Sequence, residues 1–191
     1  MNKKLRWITE TAVLLALLIC LQWAGSLISA PLLKQLITGT CVNCVLAVAA
    51  LYSGYGSGVV IALISPVCAY LLGIAPNFIT VAPIMAGNVC YCVLLRLICG
   101  RSLRPFWRHP VGLAAAAAVK SGVLYLLVVK VICGVAADSL LGKKLGNTVL
   151  LAKPMLQMLS VMFSWPQLVT ALSGGIIALA ICPVLRKALR K

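Results

Sequence analysis

The chain has 191 residues, of which 63% are apolar and only 10% charged, with a mean hydropathy of +1.11; so few charges cannot cover the surface of a soluble domain. Seventeen Lys and Arg face two acids, Glu10 and Asp138, which removes the carboxylate pairs that most intramembrane hydrolases require. The composition is that of an all-α integral membrane protein, one membrane-embedded domain over residues 1–191, with room for about six spans of roughly 20 residues each.

In chain order, the first span covers residues 7–29, about 34 Å as a helix and too long for a signal peptide. It stops before Ala30 and Pro31 because the residue preceding a proline leaves the helical region. A loop is expected over residues 31–40. Residues 41–72 are too long for one span and carry Gly54, Gly56 and Gly58, so they predict two short helices with a turn at 53–58. A turn at 73–77 leads to a fourth span over 78–98. The fifth span covers 111–136, and the sixth covers 155–185 with a kink at Pro166.

Charge placement gives the orientation. A pI near 9.8 is shared by nucleic-acid binders, but here the charges stand at the ends of apolar runs, as topology determinants do. They are Lys3, Lys4 and Arg6; Arg96, Arg101, Arg104 and Arg108; and Arg186, Lys187, Arg190 and Lys191. No nucleic-acid partner is expected. With six spans these eleven of the seventeen basic residues share the side of both termini, against Lys34, Lys143, Lys144 and Lys153 opposite, which puts both termini in the cytoplasm. A five-span arrangement would leave the final basic cluster outside. Trp107, beside Arg104 and Arg108, fits an anchor at the cytoplasmic surface.

The nine cysteines read as small packing residues rather than as disulfides or a metal site. His109, the single histidine, is expected to be solvated in its basic loop, with no acid in sequence range to make it catalytic. No phosphate-binding Gly-x-x-x-x-Gly-Lys motif is present. Gly54, Gly56 and Gly58 lack the preceding strand of a dinucleotide loop.

Four features carry candidate function. Ala12, Ala16, Cys20 and Ala24 recur at four-residue spacing, so one face of the first span admits another helix closely, either within the bundle or from a partner. Ser160, Ser164, Gln167 and Thr170 draw a polar line along the sixth span, with Trp165 beside Pro166. That line is either interhelical hydrogen bonding or a solute site. Asn88, mid-way along the fourth span, needs partners for both ends of its amide. In the fifth span, Lys120 is expected to snorkel toward the cytoplasm. Lys130, near the outer end, is the better partner for an anionic ligand, with outer lipid headgroups as the other reading. The segments 31–40 and 137–154 are placed to close a pocket between the fourth, fifth and sixth spans.

This length, six spans with both ends inside, the basic N-terminus followed by Ala12-Val13-Leu14-Leu15-Ala16 and the glycine-rich turn resemble the S component, the substrate-binding membrane subunit, of an energy-coupling factor (ECF) vitamin transporter. The resemblance implies that Ala12 and Ala16 dock on a transmembrane coupling subunit, which binds two cytosolic ATPases. It implies a cell-membrane protein, not an enzyme, that captures a vitamin-like solute outside for uptake driven by ATP used in the partners, with no cofactor of its own. The aromatic and acidic signature of a thiamine binder is absent. The solute contacts expected are Asn88, Lys130, Ser164, Trp165 and Gln167, with no catalytic or metal-binding residue. The alternative is a self-contained permease or channel subunit, for which the halves 1–95 and 96–191 show no convincing repeat.

Overall fold

A computed structural model describes residues 2–75, 77–100, 107–145 and 148–188. Pro76 of the expected turn, the loop residues Arg101 and Arg104, and the terminal Arg190 and Lys191 lie outside them.

Helix α1 spans Lys3–Ser26, begun by the Asn2 side chain accepting the Lys4 backbone N–H at 3.2 Å and supported by an Arg6–Glu10 ion pair one turn apart. The loop expected at 31–40 is helix instead. Pro31 is the first residue of α2, Pro31–Val48; proline at that position sacrifices an N–H that has no partner anyway and pre-sets the helical φ. The polar Lys34, Gln35 and Thr38 therefore occupy the first turns of a membrane helix. It continues as a π-wound stretch, Ala49–Ser53, to Gly54, where φ is 115° and only glycine is at ease. The turn expected at 53–58 narrows to Gly54 alone, with Gly56 and Gly58 inside the next helix.

Helix α3, Tyr55–Leu71, has 17 residues, about 25 Å of rise. A 3-10 turn, Phe78–Thr80, opens α4, Val81–Cys99. Helix α5, Arg108–Leu124, is prolonged by a π-helix over Tyr125–Val135. Five helical segments are long and apolar enough to cross a membrane: Lys3–Ser26, Pro31–Ser53, Phe78–Cys99, Arg108–Val135 and Trp165–Ala188; α3 is the shorter sixth. Because α5 starts three residues earlier than expected, His109 lies in its first turn and is buried rather than solvated. Trp107 is exposed just before it.

Beyond α5 come a single turn, α6 Ala137–Leu140, and a small antiparallel hairpin of β1 Lys144–Leu145 and β2 Thr148–Val149. The long helix expected at 155–185 is two helices. Helix α7, Lys153–Met162, ends at Phe163, and α8, Trp165–Ala188, starts afresh. Pro166 stands in the opening turn of α8, so it starts a helix instead of kinking one.

The six long helices close a ring in the spatial order α1, α2, α8, α5, α4, α3 and back to α1. Helix α8 turns Ala171, Gly174, Ala178 and Cys182 inward, a seam of small residues against α2. A Cβ on Gly174 would stand 2.6 Å from the Thr40 carbonyl oxygen and 2.7 Å from the Cys44 nitrogen, so glycine is what lets these backbones approach. Two hydrophobic clusters result. The larger includes Leu18, Leu46, Leu51, Ile61, Tyr91, Leu95 and Leu113. The smaller joins Leu124, Val128 and Ile132 of the distal part of α5 to Leu151, Leu159 and Phe163.

Candidate functional site

Between the two clusters lies a cavity of about 130 Å³, counted over the centres of water-sized molecules, reached by side chains from all six long helices. Its polar centre is Lys120, which is 3% exposed. The Lys120 ammonium donates to the Asn43 Oδ1 and, at 2.7 Å, to the Asn88 Oδ1. It also stands 5.3 Å from the centroid of the Tyr91 ring, a cation–π distance. The ring is fixed in turn, since the Tyr91 hydroxyl donates to the Ala171 carbonyl at 2.8 Å.

The network continues into α8. The Asn43 Nδ2 donates to the Thr170 Oγ1 at 3.2 Å, the Thr170 hydroxyl to the Gln167 carbonyl at 3.2 Å, and the Gln167 Nε2 to the Met162 carbonyl at 3.1 Å. Close packing holds the pieces in range: a Cβ on Gly39 would meet Thr170 at 2.9 Å. The freed carbonyl at the end of α7 is thus occupied by a side chain of α8, which ties the helix break to the cavity wall.

On the α1 to α3 side, three polar atoms have no partner among the described residues: the Gln22 Oε1, the Thr38 Oγ1 and the Ser65 Oγ. All three residues line the cavity. Buried polar atoms without a partner are uncommon and costly, and their convergence on one space is the arrangement of a site awaiting a polar molecule.

The residues expected from the sequence are divided by the fold. Asn88 and Gln167 line the cavity. Ser164 sits at the helix break with its hydroxyl bonded to the Val161 carbonyl at 2.8 Å, and Trp165 is 54% exposed; neither lines the cavity. Lys130 is exposed, with its ammonium 5.7 Å from the Tyr125 ring centroid. Lys120, expected to snorkel away, takes the central place instead. Sequence reasoning passed over Asn43, Gln22, Thr38 and Ser65 as well. The available signal was a charged residue amid Ala114 to Val119 in a chain with almost no acids to pair it.

Helix α1 presents Ala12, Ala16, Cys20 and Ala24 on its exposed side and buries Thr11, Leu18, Gln22 and Gly25. The internal seam that its small residues suggested is therefore made by α8 and α2. Among the described residues all nine cysteines are free, and no group of His, Cys, Asp and Glu is placed to hold a metal.

A family model described as "ECF transporter, substrate-specific component" matches residues 6–186. The chain belongs to that family. No curated protein and no solved structure matches it. As an S component it is a multi-pass membrane protein and the substrate-binding part of a transporter that associates with ECF coupling and ATPase subunits. Its cavity is a mostly apolar cleft between the helices with a few polar groups and one buried lysine set into its wall.

Proposed function

We propose that this S component captures a vitamin-like small solute in the cavity around Lys120 and hands it to an ATP-driven coupling complex of the cell membrane. The observation that carries this reading is the convergence of three polar atoms, unpartnered among the described residues, and a buried ammonium on one cavity. Six membrane crossings with both termini in the cytoplasm put the cavity toward the outer face, beneath the α3–α4 turn, the hairpin and α7. The Asn77 Nδ2 bonds to the Leu150 carbonyl and reaches the Met155 sulfur at 3.4 Å, so these outer segments are joined over the cavity as one cover.

Asn88 and Gln167 orient the solute, and the exposed Ala12 and Ala16 dock on the transmembrane coupling subunit, which carries two cytosolic ATPases. The small side chains let two helices meet where lipid supplies little hydrophobic drive. The test is co-expression with such a coupling subunit and its two ATPases. ATP-dependent uptake and co-purification are expected for the wild type. Ala12→Leu with Ala16→Leu should lose both while keeping solute binding. Unchanged uptake by the double variant would remove α1 from docking, and uptake by the chain alone would favour the self-contained permease.

A further inference from the structure

We infer that the solute is a small aliphatic carboxylate bearing hydroxyl or amide groups, with its acid group held by Lys120 and Asn88 and its donors facing Gln22, Thr38 and Ser65. This deepens the proposed function and rests on it. Lys120 has no acidic counter-ion among the described residues. Lys120 is buried against two neutral amide oxygens, and a buried ammonium is costly without an anion. The chain contains only Glu10 and Asp138 as acids. Glu10 is paired with Arg6, and Asp138 is exposed and does not line the cavity. The counter-ion must therefore arrive with the ligand.

Donors are in place to receive it. An ammonium has three N–H groups, and among the described residues Lys120 uses two. The Asn88 amide accepts from Lys120 through Oδ1 and lines the cavity, so its Nδ2 is the donor on this wall that would meet a carboxylate oxygen. The other wall has the opposite demand, because the Gln22 Oε1 can only accept and the Thr38 and Ser65 hydroxyls are without partners. A ligand satisfying both walls has an acid at one end and O–H or N–H groups at the other.

The remaining surface sets the shape. It is aliphatic around Val42, Ala69, Ile84 and Leu124, with Phe163 as the sole aromatic side chain among the lining residues, so there is no pair of ring faces to sandwich a flat heterocycle. The inner space of about 130 Å³ shares Gln35, Thr38, Ile74, Ala75 and Met162 with an adjoining cleft of about 400 Å³, so the acid end fits beside Lys120 while the rest of an aliphatic chain extends into the cleft.

The test measures thermal stabilisation and affinity of the purified full chain in nanodiscs with γ-hydroxybutyrate, N-acetyl-β-alanine and pantothenate, each beside its methyl ester, and with thiamine and riboflavin. At least one acid should stabilise the protein and its ester should not. Lys120→Met, which keeps the length and removes the charge, should weaken that acid by roughly ten- to a hundredfold while the unliganded variant still unfolds cooperatively. Ser65→Ala should weaken the hydroxylated acids more than a plain fatty acid of the same length. Equal binding of acid and ester, unchanged affinity in Lys120→Met, or binding of thiamine or riboflavin with none of the acids would overturn the assignment. The coupling-subunit assembly described above is read separately, so a failed acid does not by itself remove the transporter reading.

Discussion

The two ends of the bundle are built differently. Toward the termini, the larger cluster closes through small residues: Ala171, Gly174 and Ala178 of α8 meet α2, and Gly58 of α3 lies so close to α2 that its Cβ would stand 3.1 Å from the Ala50 Cα. At the opposite end, the smaller cluster is assembled from a π-wound extension, a two-strand hairpin and a ten-residue helix, and is bridged by the contacts of Asn77. Backbone seams resist separation, whereas short elements joined by a few bonds open at lower cost. Lys120 stands at the junction, fixed by the rigid half and covered by the loose one. That division suits a protein that must hold a solute firmly and still let it in.

The largest effect is expected at the rigid seam. Gly174→Leu drives its side chain into the Thr40 and Cys44 backbone and should cost about 3 kcal/mol, read as a lower unfolding midpoint in detergent. An unchanged midpoint would mean that α2 and α8 do not close the bundle. Next comes the junction. Asn88→Leu removes one of the two acceptors of Lys120 and should cost about 1–3 kcal/mol. Adding Lys120→Met should recover most of that loss, because the stranded charge is gone; a simple sum of the two single effects would show them uncoupled.

The cover should respond locally. Asn77→Ala severs the α3–α4 turn from Leu150 at a cost of about 1 kcal/mol. Faster hydrogen exchange confined to the hairpin and α7 is expected, and uniform acceleration through α2 and α8 would contradict two separable halves. The smallest effect is a control within one residue type. A Cβ on Gly122 would meet nothing within 4 Å, so Gly122→Ala should stabilise α5 by about 0.5–1 kcal/mol, the reverse of Gly174→Leu.

Legibility in the sequence follows the same division. Long apolar runs announced α1, α4 and the main part of α8, and Gly54 announced its turn. The half away from the termini was hidden because proline signals two opposite things: Pro31 and Pro166 look like breaks, yet each stands in the first turn of a helix. The site was half legible. Asn88 and Gln167 stood out because a buried amide is conspicuous in a membrane helix, and both line the cavity. Lys120 was passed over because its depth alone allowed it to snorkel to the nearer surface, whereas in the fold amide oxygens from α2 and α4 hold it inside; Lys130 is exposed and does not line the cavity. The stripe on α1 and the seam on α8 are likewise the same pattern of small residues. Only the packing separates the exposed one from the buried one.

On this reading the solute resides in the cavity around Lys120. The direct measurement is native mass spectrometry of the protein purified from its own cells, wild type beside Ala69→Phe, which puts a bulky ring at a position that lines the cavity and is not among the partners of Lys120. One small molecule per wild-type chain is expected, and none in the folded Ala69→Phe protein. A variant that carries the same molecule at the same occupancy, or a wild type that carries none, would contradict it.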